Sequence, residues 1–500
     1  MAAFKGNAFM IIIISCNRVL DNNPWFAVWS MVFRAKSRAY KRYFMQDLHW
    51  VSRSLKLVDL MMKRHLHRTR RTLLSIYKWK LRILFWGGAL SIGLAAAVFA
   101  LTSFQADQLF RHFYRDSPGL ALLVPPVGLA LIAWVTRRYF RGSEGSGIPQ
   151  AIAALQVEGH AARSAVLSMR VAIAKIVLTI GGLLSGASIG REGPTVHVGA
   201  SIMYSLRRLA RFRGKDMTRA LILAGGAAGI SAAFNTPLAG IMFAVEEMSR
   251  SFEERTSGTL LIAVILAGIT ALSVLGNYTY FGTSSASVVI GQAWPAVIVC
   301  GLVGGILGGS FSTLLIHSTR RIVPLARRYP VLLAFGCGLL ISLLGHLSGG
   351  STFGTGYHEA KGLVTAQAEP HMLFPIYKYL ATVASYLSGI PGGIFAPSLS
   401  IGAGIGADIA PFIPFVPFAA VVMLGMVGYF TGVVQTPITA LIIVMEMTDN
   451  SSMLLPLMAT ALIAKGVSRF VCPHPLYQSM ATAYINAISN PEPPSGSKSG

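Results

Sequence analysis

The sequence predicts an all-α integral membrane protein built from two repeated halves whose helices are broken by glycine and proline. Three observations carry this. The 500 residues are 53% hydrophobic and only 12% charged, with a mean hydropathy of +0.58, which excludes an ordinary soluble globule. Apolar stretches at roughly 83–104, 120–136, 165–189, 258–276, 293–316, 331–347, 374–390 and 418–434 approach the ~20 residues that a full crossing of the hydrocarbon needs. Finally, one phrase occurs twice, as TPLAGIMFAVEEM at 236–248 and TPITALIIVMEMT at 436–448, so that Pro237 pairs with Pro437 and Glu246 with Glu446. Upstream of each copy, GREGPTVHVGA at 190–200 matches GIFAPSLSIGA at 393–403 in its first Gly, its Pro and its closing Gly-Ala. Apolar segments broken at corresponding places in two halves point to a transporter whose site lies where the broken helices meet.

Along the chain, residues 1–74 form a basic segment, expected on the cytoplasmic side, that lacks a steady helical period. Residues 1–80 hold 16 Lys and Arg against 3 Asp, more than half of the net +24, which places the N-terminus inside by the positive-inside rule. The IIISC run ending at Cys16 resembles a lipoprotein cleavage site only superficially, because its apolar region is short and a basic stretch follows. Met61 or Met62, just before the basic run and the first span, is a natural alternative start. The same rule places Arg137, Arg138 and Arg141, then Arg207 to Arg219, then Arg320 to Arg328, on the inner side. A nucleic-acid partner is not expected, since no base-reading module accompanies the basic balance. Cys16, Cys300, Cys337 and Cys472 have no paired spacing, so neither a disulfide framework nor a metal site is expected. Segments near 145–156, 193–206 and 393–407 open in Gly/Pro-rich turns and read as half-helices, tolerable at membrane depth only where buried in protein or facing water. Residues 489–500 are Pro/Gly/Ser-rich and read as a disordered tail.

The chemistry lies in three turns, each opening a helix with free backbone N–H groups that hold an anion without a full positive charge. The first is Gly145-Ser146-Gly147-Ile148-Pro149, which taken alone is an ordinary helix start and lacks the Gly-Lys-Ser/Thr ending of a phosphate loop. The second is Gly190-Arg191-Glu192-Gly193-Pro194, after an apolar span that contains Lys175. An ionisable residue at membrane depth is costly and functional by default, so Glu192 is a candidate, with an Arg191–Glu192 pair at a helix start as the structural alternative. The third is Gly393-Ile394-Phe395-Ala396-Pro397, the repeat mate of the second with apolar residues in place of Arg and Glu.

GSGIP, GREGP and GIFAP, in this order and followed by Tyr477 in Pro475-Leu476-Tyr477, resemble the motifs of the CLC family of chloride channels and proton/chloride antiporters. The resemblance covers about residues 75–488, with halves at about 75–280 and 290–488. It implies an inverted-topology repeat with broken and re-entrant helices, a homodimer in the lipid bilayer with one anion pathway per subunit, and no cofactor. By position, Ser146 and Tyr477 match the side chains that contact the central chloride, and the amides of Ile394 and Phe395 match those that complete its coordination. Glu192 matches the gating glutamate, ionised in the anion path and able to swing away when protonated. Glu247 matches the inner proton-relay glutamate of the family's exchangers, where channels generally carry an uncharged residue. Its neighbour Glu246 and the mate Glu446 have a bland reading as helix-end ion pairing or dimer-side structure. Ser146 favours chloride, since nitrate-preferring members tend to carry Pro there. Lys175 is either a contributor to the local potential or a structural lysine. Where close bacterial exchangers carry acids after GSGIP, this chain has Gln150, Ile152 and Gln156. Paired regulatory CBS modules after the membrane part are not expected.

The resulting expectation is proton-coupled chloride antiport in a multi-pass protein of a bacterial inner membrane, with a passive gated channel of the same fold as the alternative. An intramembrane enzyme using Glu192, His197 or Glu247 is a distant rival, because no third ligand or HExxH motif accompanies them.

Overall fold

The computed structural model describes residues 76–210, 215–249, 254–276, 279–288, 290–368 and 372–489. The basic N-terminal segment with its alternative start, Cys16 and the tail lie outside the described residues. The chain divides into two units, Met1–Lys80 and Leu81–Gly500. The described residues belong to the second, except for 76–80, which begin the helix that leads into it.

The described residues are nearly all helical. The first half runs α1 (Ile76–Asp116), α2 (Pro118–Ala121), α3 (Val124–Tyr139), α4 (Ile148–Gln156), α5 (His160–Val166), α6 (Met169–Leu184), α7 (Glu192–Ala210), α8 (Lys215–Phe234), α9 (Pro237–Phe243) with a π-helical turn at Ala244–Ser249, and α10 (Glu254–Leu275). The second half runs α11 (Ile290–Arg328), α12 (Pro330–Leu347), α13 (Tyr357–Val364), α14 (Phe374–Leu387), α15 (Phe395–Ile409), α16 (Phe418–Val434), α17 (Pro437–Thr448) and α18 (Leu454–Val471), and α19 (Leu476–Ser489) comes last. The order repeats: α7, α8 and α9 correspond to α15, α16 and α17. Both α7–α8 and α15–α16 pack through glycine. A Cβ at Gly225 would lie 2.7 Å from the Gly199 carbonyl carbon, and one at Gly402 would lie 2.8 Å from the Gly425 carbonyl oxygen. Small residues that let backbones approach this closely are how helices associate without a hydrophobic drive between them.

Among the described residues, eight helical segments are long and apolar enough to cross a membrane: Arg82–Asp116, Pro118–Tyr139, His160–Leu184, Asp216–Phe234, Gly258–Leu275, Ala293–Arg328, Pro330–Leu347 and Leu454–Val471. Six overlap the stretches expected from sequence. The other two expected stretches, 374–390 and 418–434, fold as helices of 14 and 17 residues, short of a full crossing. In their place stand Asp216–Phe234, whose Gly/Ala-rich face is 89% buried and therefore only modestly hydropathic, and Leu454–Val471, which carries Pro456, Lys465 and Arg469. The helix expected at 193–206 is longer, 19 residues from Glu192.

The inversion is visible in one reciprocal contact. Neither Thr236 nor Thr436, at the N-cap positions of α9 and α17, caps its own helix through its side chain. Instead, the amides of Leu238 and Ala239 donate to the carboxylate of Glu446 at 3.2 and 2.9 Å. The amides of Ile438 and Thr439 donate to Glu246 at 3.4 and 2.8 Å, and the Thr439 hydroxyl adds a bond of 3.0 Å. Each helix thus ends at the start of the other, which requires the two to run antiparallel. Glu246 and Glu446 are therefore caps of each other's helices. Removing one should leave two amides at the start of a helix unsatisfied. Glu446→Ala is expected to cost about 1–2 kcal/mol, read as a lowered unfolding temperature in detergent, whereas an unchanged transition would contradict the capping role.

Candidate functional site

The three turns singled out in the sequence meet inside the protein, and backbone hydrogen bonds join them. Gly190 N–H donates to the Gly393 carbonyl and Gly393 N–H to the Gly190 carbonyl, both at 2.7 Å. Gly145 N–H donates to the Ile390 carbonyl and Gly392 N–H to the Gly145 carbonyl, both at 3.3 Å. The starts of α4, α7 and α15 are thereby brought to one place.

Gly145 and Gly147 have φ of +67° and +102°, a backbone shape that other residues adopt only with strain. Lys175, fully buried on α6, donates to the carbonyls of Ser143, Glu144 and Gly145 at 2.9, 3.2 and 3.0 Å. Its ammonium thus holds the carbonyl side of the turn from behind. Ser146 packs on α7, where a Cβ at Gly193 would lie 3.2 Å from the Ser146 Cβ; this is a steric reason for Gly in GREGP. The Ser146 hydroxyl is buried and has no protein hydrogen-bond partner.

Tyr477, near the start of α19, is likewise fully buried with a hydroxyl that no protein group satisfies. Its hydroxyl lies toward that of Ser146, and Tyr386, Glu247 and Glu192 are its titratable neighbours. Its ring lies 5.8 Å from that of Phe395, which also packs on Phe430 at 4.8 Å and Phe243 at 6.0 Å. In α15 the Ser398 N–H donates to the Ile394 carbonyl at 2.9 Å, so the amides of Ile394, Phe395 and Ala396 have no acceptor within the helix.

Glu192 opens α7 and is completely buried. Its carboxylate faces the amides of Arg191, Glu192 and Ala396, outside hydrogen-bond geometry to any of them. The guanidinium of Arg191 lies over the Tyr280 ring, 5.9 Å from its centroid. Glu247 occupies the π-helical turn, an uncommon winding that recurs at functional places. It is buried, and its carbonyl accepts from Gln478 Nε2 at 3.0 Å, which ties it to the residue after Tyr477. Gln156 Nε2 donates onward to Gln478 Oε1 at 3.3 Å. Gln150 fastens the first turn to α19, donating to the Glu144 carbonyl at 2.7 Å and to the Tyr484 hydroxyl at 3.0 Å. Gln150 and Gln156 thus join α19 through a neutral network. His197 is structural, with Nε2 against the Val166 carbonyl at 2.7 Å. Among the described residues no group of three or more His, Cys, Asp or Glu could hold a metal ion.

A second clamp carries no motif that the sequence announces. Lys378, on α14, lies 203 positions after Lys175, the same separation as Gly190 and Gly393. It is fully buried and donates to the carbonyls of Thr352 and Gly354, both at 2.8 Å. The turn it holds, Gly354-Thr355-Gly356, has φ of +68° and +79° at its glycines and opens α13 as Gly145-Ser146-Gly147 opens α4. Beside it, Arg111 of α1 bridges Glu359 at 2.7 Å and Asp107 at 3.2 Å and donates to the Phe353 carbonyl at 2.8 Å.

Residues 128–469 match the family model described as voltage gated chloride channel. The H(+)/Cl(-) exchange transporter ClcA of Yersinia pestis bv. Antiqua (strain Angola) is 31% identical over 393 residues, covering 72% of this chain and 78% of that protein. The same transporter of Yersinia pseudotuberculosis serotype O:3 (strain YPIII) gives equal figures. Among solved structures, a slow cyanobacterial Cl-/H+ antiporter superposes with a TM-score of 0.72 at 26% identity, over 82% of this chain and 98% of that one. A CLC-type fluoride/proton antiporter shares the fold with a TM-score of 0.69 at 24% identity, over 81% and 99%. The chain is a multi-pass membrane protein and belongs to the voltage-gated chloride channel, or CLC, family.

Proposed function

We propose that this chain exchanges chloride for protons across a bacterial inner membrane. In this reading Ser146, Tyr477 and the amides of Ile394 and Phe395 hold a central chloride, Glu192 gates its path, and Glu247 relays protons from the inner side. The observation that carries it is the pair of buried hydroxyls on Ser146 and Tyr477, which lie toward each other while neither reaches full hydrogen-bond geometry to a protein group. A buried polar group left unmatched costs ~1–3 kcal/mol. Two of them, able to donate and set beside helix starts whose amides only donate, suit a ligand that accepts hydrogen bonds. A halide ion meets that requirement, and neutral donors hold it loosely enough to release it.

Glu192 supplies the gate because its carboxylate, tethered to α7, faces the same class of amides that would hold a free anion. Ionised, it competes with chloride; protonated, it loses the attraction that keeps it there. Glu247 lies near Tyr477 but on a separate element, as a relay off the anion path requires. The relatives named as exchange transporters and the antiporter of similar fold support coupling over passive flow. The basic clusters support a cytoplasmic N-terminus. Family resemblance supports a homodimer with one pathway in each subunit.

In protein reconstituted into liposomes, Glu192→Ala is expected to keep chloride flux and lose proton movement. Glu247→Gln should do the same by removing the inner relay, and proton pumping that persists in this variant would sink the role assigned to Glu247. Tyr477→Phe removes one donor worth about 1 kcal/mol and should weaken chloride binding roughly fivefold, measured by calorimetry. An unchanged affinity would remove Tyr477 from the coordination shell.

A further inference from the structure

The second clamped turn raises the question of what its cradle holds. Around Gly354-Thr355-Gly356 the fold repeats the parts found at Gly145-Ser146-Gly147: a left-handed glycine before a helix start, a fully buried lysine on the carbonyl side, and a hydroxyl at the middle position. The packing partner repeats as well. A Cβ at Gly147 would lie 2.7 Å from the His197 Cβ, and one at Gly356 would lie 2.6 Å from the Cβ of Ser400, the repeat mate of His197.

The occupants differ. Thr355 turns its hydroxyl inward to accept from the Tyr357 amide at 3.2 Å, whereas Ser146 keeps its hydroxyl unmatched. Against Gly354 sits the carboxylate of Asp107, whose Cγ and Oδ2 would lie 2.6 and 3.0 Å from a Cβ built there. Asp107 is 3% exposed. Oδ2 takes the bond from Arg111, while Oδ1 has no hydrogen-bond partner. The hydroxyls of Ser103, one helical turn before Asp107 on α1, and of Ser400 are also buried and unmatched. Ser103, Asp107, Arg191, Tyr280, Thr355 and Tyr357 line a cavity of about 200 Å³. The charges facing Asp107 are Arg111 from its own helix, Glu359 and His358 from α13, and Lys378 from α14.

We propose that Gly354-Thr355-Gly356 is a second anion cradle, the repeat copy of Gly145-Ser146-Gly147, and that the carboxylate of Asp107 is its built-in anion. The site takes a small monovalent anion of the halide class when that carboxylate is removed. This rests on the reading that the first turn cradles chloride. One half of the repeat leaves its cradle to a mobile ion, and the other closes its cradle with a side chain from α1.

The test is Asp107→Ala in the full-length protein, with bromide located by anomalous diffraction and its stabilising effect followed by thermal unfolding. The proposal expects one additional bromide per subunit in the Ser103–Thr355 cavity of the variant and none there in the parent. It also expects a steeper rise in the variant's unfolding temperature with bromide than in the parent's, because the ion replaces a lost charge. Asp107→Ser is carried alongside with the same expectation. Bromide at Ser146 and Tyr477 but not in the cavity of either variant overturns the second cradle alone. Absence of bromide from both places also removes the chloride reading of the first turn. Bromide in the cavity of the parent shows that Asp107 does not fill the site. Failure of both variants to fold at any bromide concentration shows that no free anion substitutes for the carboxylate, and either result overturns the proposal.

Discussion

Two helices that stop inside a membrane leave N–H and C=O groups with no water to meet, and each such group left unmatched costs several kcal/mol. Here the breaks before α7 and α15 answer one another. Gly190 and Gly393 exchange both of their backbone bonds at 2.7 Å, so each break is the partner of the other. Nearly all of the site depends on this pair. It lies where the two halves meet, sets the starts of α7 and α15 beside each other, and with the Gly145–Gly392 bond draws α4 into the same place. The caps made by Glu246 and Glu446 apply the same solution farther along the chain, one half supplying what the other lacks.

Charge is placed with similar economy. The lysine nearest the first turn is engaged by the backbone of the turn itself. Three carbonyls accept hydrogen bonds from its ammonium, which leaves the amides and the serine hydroxyl of the turn to other partners. An ion held by Ser146, Tyr477 and the first amides of α15 would meet partial charges only, with Lys175 contributing through a layer of backbone. Among the groups at the site, Glu192 and Glu247 are the carboxylates, and both are buried.

Much of this is legible in the sequence, for identifiable reasons. GREGP and GIFAP keep their register over eleven positions because both must make the same backbone pair, and the two TP phrases persist because each ends in the glutamate that caps the other. The mirror turn at Gly354 is hidden because it lies 209 positions after Gly145, whereas Gly190 and Gly393 are 203 apart; loop length drifted while the clamp did not. Lys378 carries the missing signal, since it keeps the 203-residue offset from Lys175. The helix at Asp216–Phe234 is inconspicuous because close packing on α7 favours Gly and Ala, which lowers hydropathy where burial is greatest. Conversely, 374–390 and 418–434 are apolar enough to suggest spans, yet their helices are short and enclosed by protein. The ion network of Asp107, Arg111 and Glu359 joins residues about 250 positions apart and leaves no periodic trace.

The proposed coupling would join an anion bound where the broken helices meet to a proton carried by Glu192 and Glu247. The most direct test is purified protein in liposomes, with a chloride gradient imposed in weakly buffered medium, the voltage clamped by potassium and valinomycin, and external pH followed. Coupled exchange predicts uphill proton movement that stops when chloride is replaced by an impermeant anion. Chloride flux from folded protein with no accompanying proton movement would contradict it.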